Sequence, residues 1–398
     1  MGPTTATAVR APGHERLLSF LDETPRQTPY LAFDTGIAAD RYQRIATAFD
    51  PAGVFYAVKA NPLPELVRLL VGLGACFDVA SRAEIDLCLA AGADPATLSY
   101  GNTVKKATDI AYAHRRGIRL FVFDSESELA KLAEHAPGAS VLCRLLASSD
   151  GARWPLSRKF GCEPRMAVDL LERAQRLGLD PHGIAFHVGS QQLHPERWDP
   201  SIAQAAGVFA ELRARDVQLR TLNIGGGFPV GYTQPVLPIE AYAQTILESV
   251  ERHFGPDRPA VMLEPGRYVC AEAGVLRTEV VLVSRKSYEE ERRWVYLDVG
   301  RFGGLAETEG EAIQYQLVSS RDGARTGPVV IAGPTCDSVD ILYQRADYRL
   351  PLDLAPGDHV DVLAAGAYTT TYSSVAFNGF PPLATHCVTD PESNGAPS

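Results

Sequence analysis

VFYAVKANPLPELVRLLVGLGACFDVASRAEIDLCLAAG, residues 54–92, switches between two periodicities, and that switching sets the fold. VFYAV (54–58) and ACFDVA (75–80) are short apolar runs rich in β-branched and aromatic side chains, as buried strands are. LPELVRLLVGLG and SRAEIDLCLAAG place apolar residues three and four apart, the spacing of one helix face. Further strand-like runs follow at TLSY (97–100), RLFVF (119–123), SVLCRL (140–145), GIAFHV (183–188), LRTLNI (219–224) and AVMLE (260–264). Strand alternating with helix implies right-handed crossovers and a parallel sheet. Eight such units in about 210 residues have the count and length of a (β/α)8 barrel, expected over 31–270.

Beyond 270 the texture changes. TEVVLVSR, WVYLDV, GPVVIAG and HVDVLAA read as strands separated by Gly, Pro and Asp turns. They predict a C-terminal all-β domain, barrel- or sandwich-like, over 271–385. The segment 1–30 is expected to pack with that domain, and 386–398 to form a flexible tail.

Composition narrows the function classes. A chain of 398 residues with 45% apolar content can build two domains with sizeable cores. A net charge of −10 argues against nucleic acid, whose phosphates need a basic face. No apolar run reaches the roughly 20 residues of a membrane span, and the first residues lack a secretory pattern. Seven scattered cysteines without a C-x-x-C pair suit reduced thiols in the cytoplasm, not disulfides or a zinc site. The expected location is therefore cytoplasmic, with no membrane partner and no metal.

In such a barrel, chemistry belongs at the C-terminal strand ends. Lys59 follows the first strand, Asp78 and Glu84 the second, and Arg144 lies near the end of the fifth. His187 ends the sixth, Gly225, Gly226 and Gly227 follow the seventh, and Glu264 ends the eighth. Lys59 reads as a snorkelling side chain or as a desolvated amine able to form an imine. The triple glycine reads as a tight turn or as bare backbone that lets a phosphate approach. It is not the G-x-G-x-x-G dinucleotide pattern. Glu264 in EPGRY could keep a pyridine nitrogen protonated, and His187 is a satisfied core histidine or a ring that stacks on a cofactor.

With those residues in place, the chain resembles the alanine-racemase-like pyridoxal-phosphate (PLP) enzymes, and among them the ornithine and diaminopimelate decarboxylase family. The likeness runs from about residue 28 to 385 through YAVKANP, FDVASRAEI, SRKFG, FHVGSQ, NIGGGFP, EPGRY, GPTCDSVD and GAYTTTYSSVAFNGF. It implies that Lys59 holds PLP as an imine, and that Ser190, the three glycines, Gly266 and Arg267 bind its phosphate. Glu264 would pair with the pyridine nitrogen, His187 would stack on the ring, and Tyr368 would touch the cofactor. Asp78, Glu84, Arg144 and Lys159 match charged positions around the site.

The resemblance also implies a head-to-tail homodimer with shared active sites. Cys336 would protonate the carbanion in the partner's site, and Asp337 would bind the distal ammonium of the substrate. Diaminopimelate enzymes typically carry Cys-Glu-Ser where this chain has Cys336-Asp337-Ser338. An aspartate suits a lone ammonium. The expected activity is decarboxylation of ornithine to putrescine, a polyamine step, or of lysine to cadaverine. One of Glu307, Glu309 and Glu311 could add a second acid. The alternatives are a decarboxylase of a non-standard amino acid, a diaminopimelate decarboxylase, or an inactive decarboxylase-like regulator.

Overall fold

The structure, a computed structural model, describes residues 14–155 and 158–388. These divide into two compact units: Ala39–Pro229 with Val236–Tyr268, and the remaining described residues.

The first unit is the (β/α)8 barrel. Its strands are β1 (Gly53–Ala57), β2 (Cys76–Val79), β3 (Leu98–Tyr100), β4 (Leu120–Phe123), β5 (Ser140–Arg144), β6 (Asp180–Ala185), β7 (Thr221–Asn223) and β8 (Ala260–Leu263). They pair in chain order, all parallel, and β8 closes on β1 through Met262↔Gly53 and Leu263↔Val54. Each of the eight strand-like runs in the sequence supplies one strand. Val122, Leu142, Ala185 and Met262 cluster in the core with Phe55 and Leu120 against them.

Local chemistry explains the helices between strands. Helix Pro64–Gly72 begins on a proline, whose missing N–H costs nothing in the first turn, and buries Leu66, Val67 and Leu70. Helix Arg82–Ala90 is capped by Ser81, whose Oγ accepts the Glu84 N–H at 3.3 Å. Beyond its C-terminal cap, Gly92 has φ +95°, a left-handed turn that favours glycine, and Ala93 donates back to the Cys88 carbonyl at 3.0 Å.

The second unit is a nine-stranded mixed sheet. Its long strand Gly274–Ser284 pairs antiparallel with His359–Val362, Arg293–Leu297 and Tyr30–Asp34. The expected boundaries shift for that reason. Residues 31–34, placed by the sequence reading at the start of the barrel domain, belong to the β-domain strand Tyr30–Asp34, and the barrel unit begins at Ala39. At the other end, strand Ala384–Val388 pairs parallel with Tyr30–Asp34 and takes in three residues expected in the tail. The rest of that tail, like residues 1–13, lies outside the described residues. Among the described residues, no helix is long and apolar enough to cross a membrane.

One buried ion pair ties this sheet to the helix His14–Glu23. Arg277 donates Nε and Nη2 to Asp361, both at 2.9 Å, and Nη2 also to Asp22 at 2.8 Å. Arg277 and Asp361 are 8% and 6% exposed, so removing one strands the other's charge. Arg277→Ala is expected to cost about 3–5 kcal/mol, read as a lower urea midpoint, because Asp361 is left uncompensated.

Candidate active site

The residues singled out on the barrel gather at the C-terminal ends of its strands. Lys59 sits in the single 3-10 turn Val58–Ala60 that ends β1, anchored by the buried Val58 and Ala60. The register Ala57↔Asp78 brings the end of β2 alongside, and Lys59 Nζ lies 3.4 Å from Asp78 Oδ2. Lys59 is half exposed while Asp78 is only 4% exposed. The other Asp78 oxygen, Oδ1, is buried and without a hydrogen-bond partner among the described residues. It lies against Gly101, where a Cβ would come within 2.0 Å of it.

Glu264 follows β8. Asn223, the last residue of β7, donates Nδ2 to Glu264 Oε1 at 2.6 Å and accepts the Gly225 N–H on Oδ1 at 2.9 Å. Burial, and then the Asp78 carboxylate, raise the Glu264 pKa to about 7, opposed by Lys59, the Asn223 bond and Arg144. Near neutrality this carboxyl is poised to share a proton.

His187 follows β6. Its Nδ1 accepts the Gly189 N–H at 3.1 Å, so in the neutral ring the proton sits on Nε2. Burial, then Arg144 and Lys59, hold its pKa well below the ordinary value, so the imidazole is neutral. Arg144 ends β5 with its guanidinium 5.2 Å from the centre of the Phe160 ring. A small cavity of about 50 Å³ is lined by Arg144, Phe160 and His187.

Beside these lies a cationic corner. Arg267, 3% exposed, donates Nε and Nη2 to Ser190 Oγ at 3.3 and 3.1 Å. Ser190 is fixed by a two-stranded ribbon with Ala152–Trp154, through Trp154↔Ser190. Gly225, Gly226 and Gly227 complete the corner, and added Cβ atoms would meet the carbonyl oxygens of Phe186, Glu264 and Gly189 at 2.3, 2.5 and 2.4 Å. Backbone packing alone therefore requires glycine at all three positions. The loop is wedged from below by Trp198, whose Nε1 donates to the Ile224 carbonyl at 3.1 Å and whose ring stacks on Phe228 at 5.4 Å.

Other predicted residues make local contacts of their own or lie in the second unit. Glu84 Oε2 accepts the Ala80 N–H at 2.6 Å, closing the start of its helix. Lys159 lies with Nζ 4.9 Å from the centre of the Phe160 ring. Cys336, Asp337 and Tyr368 belong to the β unit. Cys336 is exposed, Asp337 Oδ1 accepts the Val339 N–H at 3.0 Å, and Tyr368 has φ +56°. Of the three candidate second acids, Glu311 takes the N–H groups of Gln344, Arg345 and Ala346 at 2.8, 2.7 and 2.8 Å. It is a loop clamp. Glu307 is 2% exposed and Glu309 is exposed.

Asn223 is the site residue that sequence reasoning missed. Its signal was present: an amide near a strand end, two residues before the first of three glycines.

Residues 37–271 match the family described as pyridoxal-dependent decarboxylase, pyridoxal binding domain. The chain belongs to the pyridoxal-dependent decarboxylases. It is 38% identical over 354 residues to the lysine/ornithine decarboxylase of Selenomonas ruminantium, covering 89% of this chain and 88% of the relative. The structure of lysine/ornithine decarboxylase from Vibrio vulnificus complexed with cadaverine matches with TM-score 0.85 and 31% identity, over 96% of this chain and 100% of that one. The arginine decarboxylase of Paramecium bursaria Chlorella virus matches with TM-score 0.85 and 26% identity, over 94% and 100% of the two chains.

The cofactor of this decarboxylase is pyridoxal phosphate. The residues fit that group in kind. An amine suits its aldehyde, a carboxyl titrating near 7 suits its ring nitrogen, a neutral imidazole suits its ring, and an Arg–Ser–Gly corner suits its phosphate.

The raised Glu264 pKa makes a prediction for the cofactor-free protein. A carboxyl raised in the folded state adds stability that is complete below about pH 4.5 and is lost as pH rises through about 7. Thermal melts across that window should fall more steeply for the wild type than for Glu264→Gln. Equal slopes would show that this carboxyl is not raised.

Proposed function

We propose that the chain decarboxylates a basic L-amino acid, with L-ornithine giving putrescine as its main reaction and L-lysine giving cadaverine as its second. The observation that carries the substrate reading is Asp337 beside the exposed Cys336 thiol. A short carboxylate with one oxygen fixed by the Val339 N–H suits a lone distal ammonium and offers nothing to a distal carboxylate. The relatives named for lysine/ornithine decarboxylation support this reading over diaminopimelate.

When bound, pyridoxal phosphate supplies the electron sink that accepts the electron pair left as the carboxylate departs. The chain's own groups would do the rest. Lys59 would carry the cofactor, and its neighbour Asp78 would balance the cationic amine at 3.4 Å. Glu264, oriented by Asn223, would hold a proton at the pyridine nitrogen. His187, kept neutral, would lie against the ring without competing for that proton. Arg267, Ser190, Gly225, Gly226, Gly227 and Gly266 would bind the phosphate, with Arg144 adding positive charge and Tyr368 a cofactor contact. Cys336 would return a proton to the α-carbon, and Asp337 would hold the distal ammonium. Seven free thiols suit a cytoplasmic setting, and a polyamine-forming role follows from the product.

We further infer a homodimer in which Cys336 and Asp337 of one copy serve the Lys59 of the other, as the family resemblance implies. Two measurements test these readings. Diamine release from ornithine, lysine, arginine and meso-diaminopimelate should favour ornithine, then lysine, and vanish in Lys59→Ala. Turnover of diaminopimelate alone would overturn the substrate reading. Mixing inactive Lys59→Ala with inactive Cys336→Ala should restore about a quarter of wild-type activity, since half of the randomly formed dimers carry one intact site of two. No recovery in mixed dimers would refute shared sites.

A further inference from the structure

The β unit holds a contact to the Cys336 thiol that the reaction scheme above does not use. Asn378 meets Cys336 with both ends of its amide: Oδ1 accepts the Cys336 N–H at 3.2 Å, and Nδ2 lies 3.3 Å from Cys336 Sγ. The main-chain bond fixes the orientation of the amide, because only its oxygen can accept an N–H. The NH2 group is therefore the one that faces sulfur.

The surroundings hold this pair in register. Asn378 has φ 51° and ψ 20°, a left-handed conformation that asparagine tolerates better than other non-glycine residues. Its segment is fastened to the Gly300–Gly303 turn by Ser374 N–H donating to the Phe302 carbonyl at 2.8 Å, and by the Phe302 and Phe377 rings 4.7 Å apart. The same turn is bound to the Cys336 loop by Asp340, which is 2% exposed. Asp340 Oδ1 accepts the Arg301 N–H at 2.8 Å, and Oδ2 accepts the Thr335 N–H and hydroxyl at 3.2 and 2.7 Å. Added Cβ atoms at Gly300 and Gly333 would fall 2.0 and 2.4 Å from that carboxylate, so both glycines make room for it. Loop, turn and Asn378 segment thus form one frame around the thiol.

We propose that Asn378 is a positioning residue for Cys336, orienting the sulfur and stabilising its thiolate through the Nδ2–H donor. The inference rests on the reading of Cys336 as the proton donor, and it names the group that would set how readily the thiol gives up that proton. Charged groups on the elements packed around Cys336 are Asp337 and Asp340 on its own loop, Arg301 on the turn, and Asp298 just before it. Asp337 and Asp340 donate nothing as carboxylates, and the Arg301 guanidinium is directed to the Thr308 carbonyl at 3.5 Å. The segment 376–380, AFNGF, carries no ionisable side chain. Among these described groups, the Asn378 amide is the donor that faces the sulfur.

The test measures alkylation of Cys336 by iodoacetamide as a function of pH on PLP-loaded enzyme, resolved from the other cysteines by peptide mass spectrometry. Asn378→Ala removes the donor. Asn378→Asp keeps the volume and the tolerance for left-handed backbone but puts an acceptor where the donor was. The midpoint of the profile should rise by about one pH unit in Asn378→Ala and further in Asn378→Asp. Alkylation at pH 7 should fall about three- to tenfold. A merely structural role would change rates at every pH without moving the midpoint, and that outcome, or equal midpoints in all three proteins, would overturn the proposal. The Cys336→Ala variant separates this from the reading beneath it. If that variant retains full turnover, Cys336 is not the proton donor, whereas the midpoint shift still decides whether Asn378 tunes the sulfur.

Discussion

Two cations and two carboxylates held together at one end of the barrel are the constraint on which the site depends. Burial, and then the Asp78 carboxylate, raise the Glu264 pKa to about 7 against the pull of Lys59 and Arg144. A low-dielectric setting magnifies each charge, so the group is tolerable only if its members are fixed and balanced. The barrel does the fixing. Lys59, Arg144 and Glu264 stand at or just past the ends of separate parallel strands, so main-chain pairing sets their spacing. Asn223 then ties two adjacent strands at their mouths, with one amide serving both the glycine loop and Glu264.

The same constraint explains His187. A histidine beside two cations could carry a proton only at high cost, so burial, Arg144 and Lys59 keep it neutral. A neutral ring adds a flat polarisable face without disturbing the charge balance. The Asp78 oxygen left without a hydrogen-bond partner shows the opposite choice, an unrelieved polar cost at the heart of the site. Native proteins keep few such atoms, and those they keep concentrate where function needs them.

What was legible in the sequence followed from periodicity. Each barrel strand came from a strand-like run of four to six residues, and strand ends drew attention to Lys59, His187 and Glu264 because chemistry in this fold collects there. What was not legible depended on contacts between distant segments. Tyr30–Asp34 reads as a generic strand, and only its pairing with Gly274–Ser284 and Ala384–Val388 assigns it to the β unit. Glu311 looks like a candidate acid in ETEGE, yet three main-chain N–H groups some 33 to 35 residues later claim its carboxylate. The glycine triplet was legible as special, but the reason is partly packing, since each position abuts a carbonyl oxygen.

The β unit repeats the barrel's logic with different parts. Around Cys336 the frame is built from a buried aspartate, two glycines that admit it, and an asparagine in a left-handed turn. In both units a side-chain amide links a main-chain N–H to the group proposed for proton handling: Asn223 to Glu264, and Asn378 to Cys336. An amide suits this duty because it donates and accepts at once and carries no charge of its own. A charged residue in either place would shift the neighbour's proton affinity far more than a neutral amide does. An aliphatic one would leave the acid free to rotate away from its target.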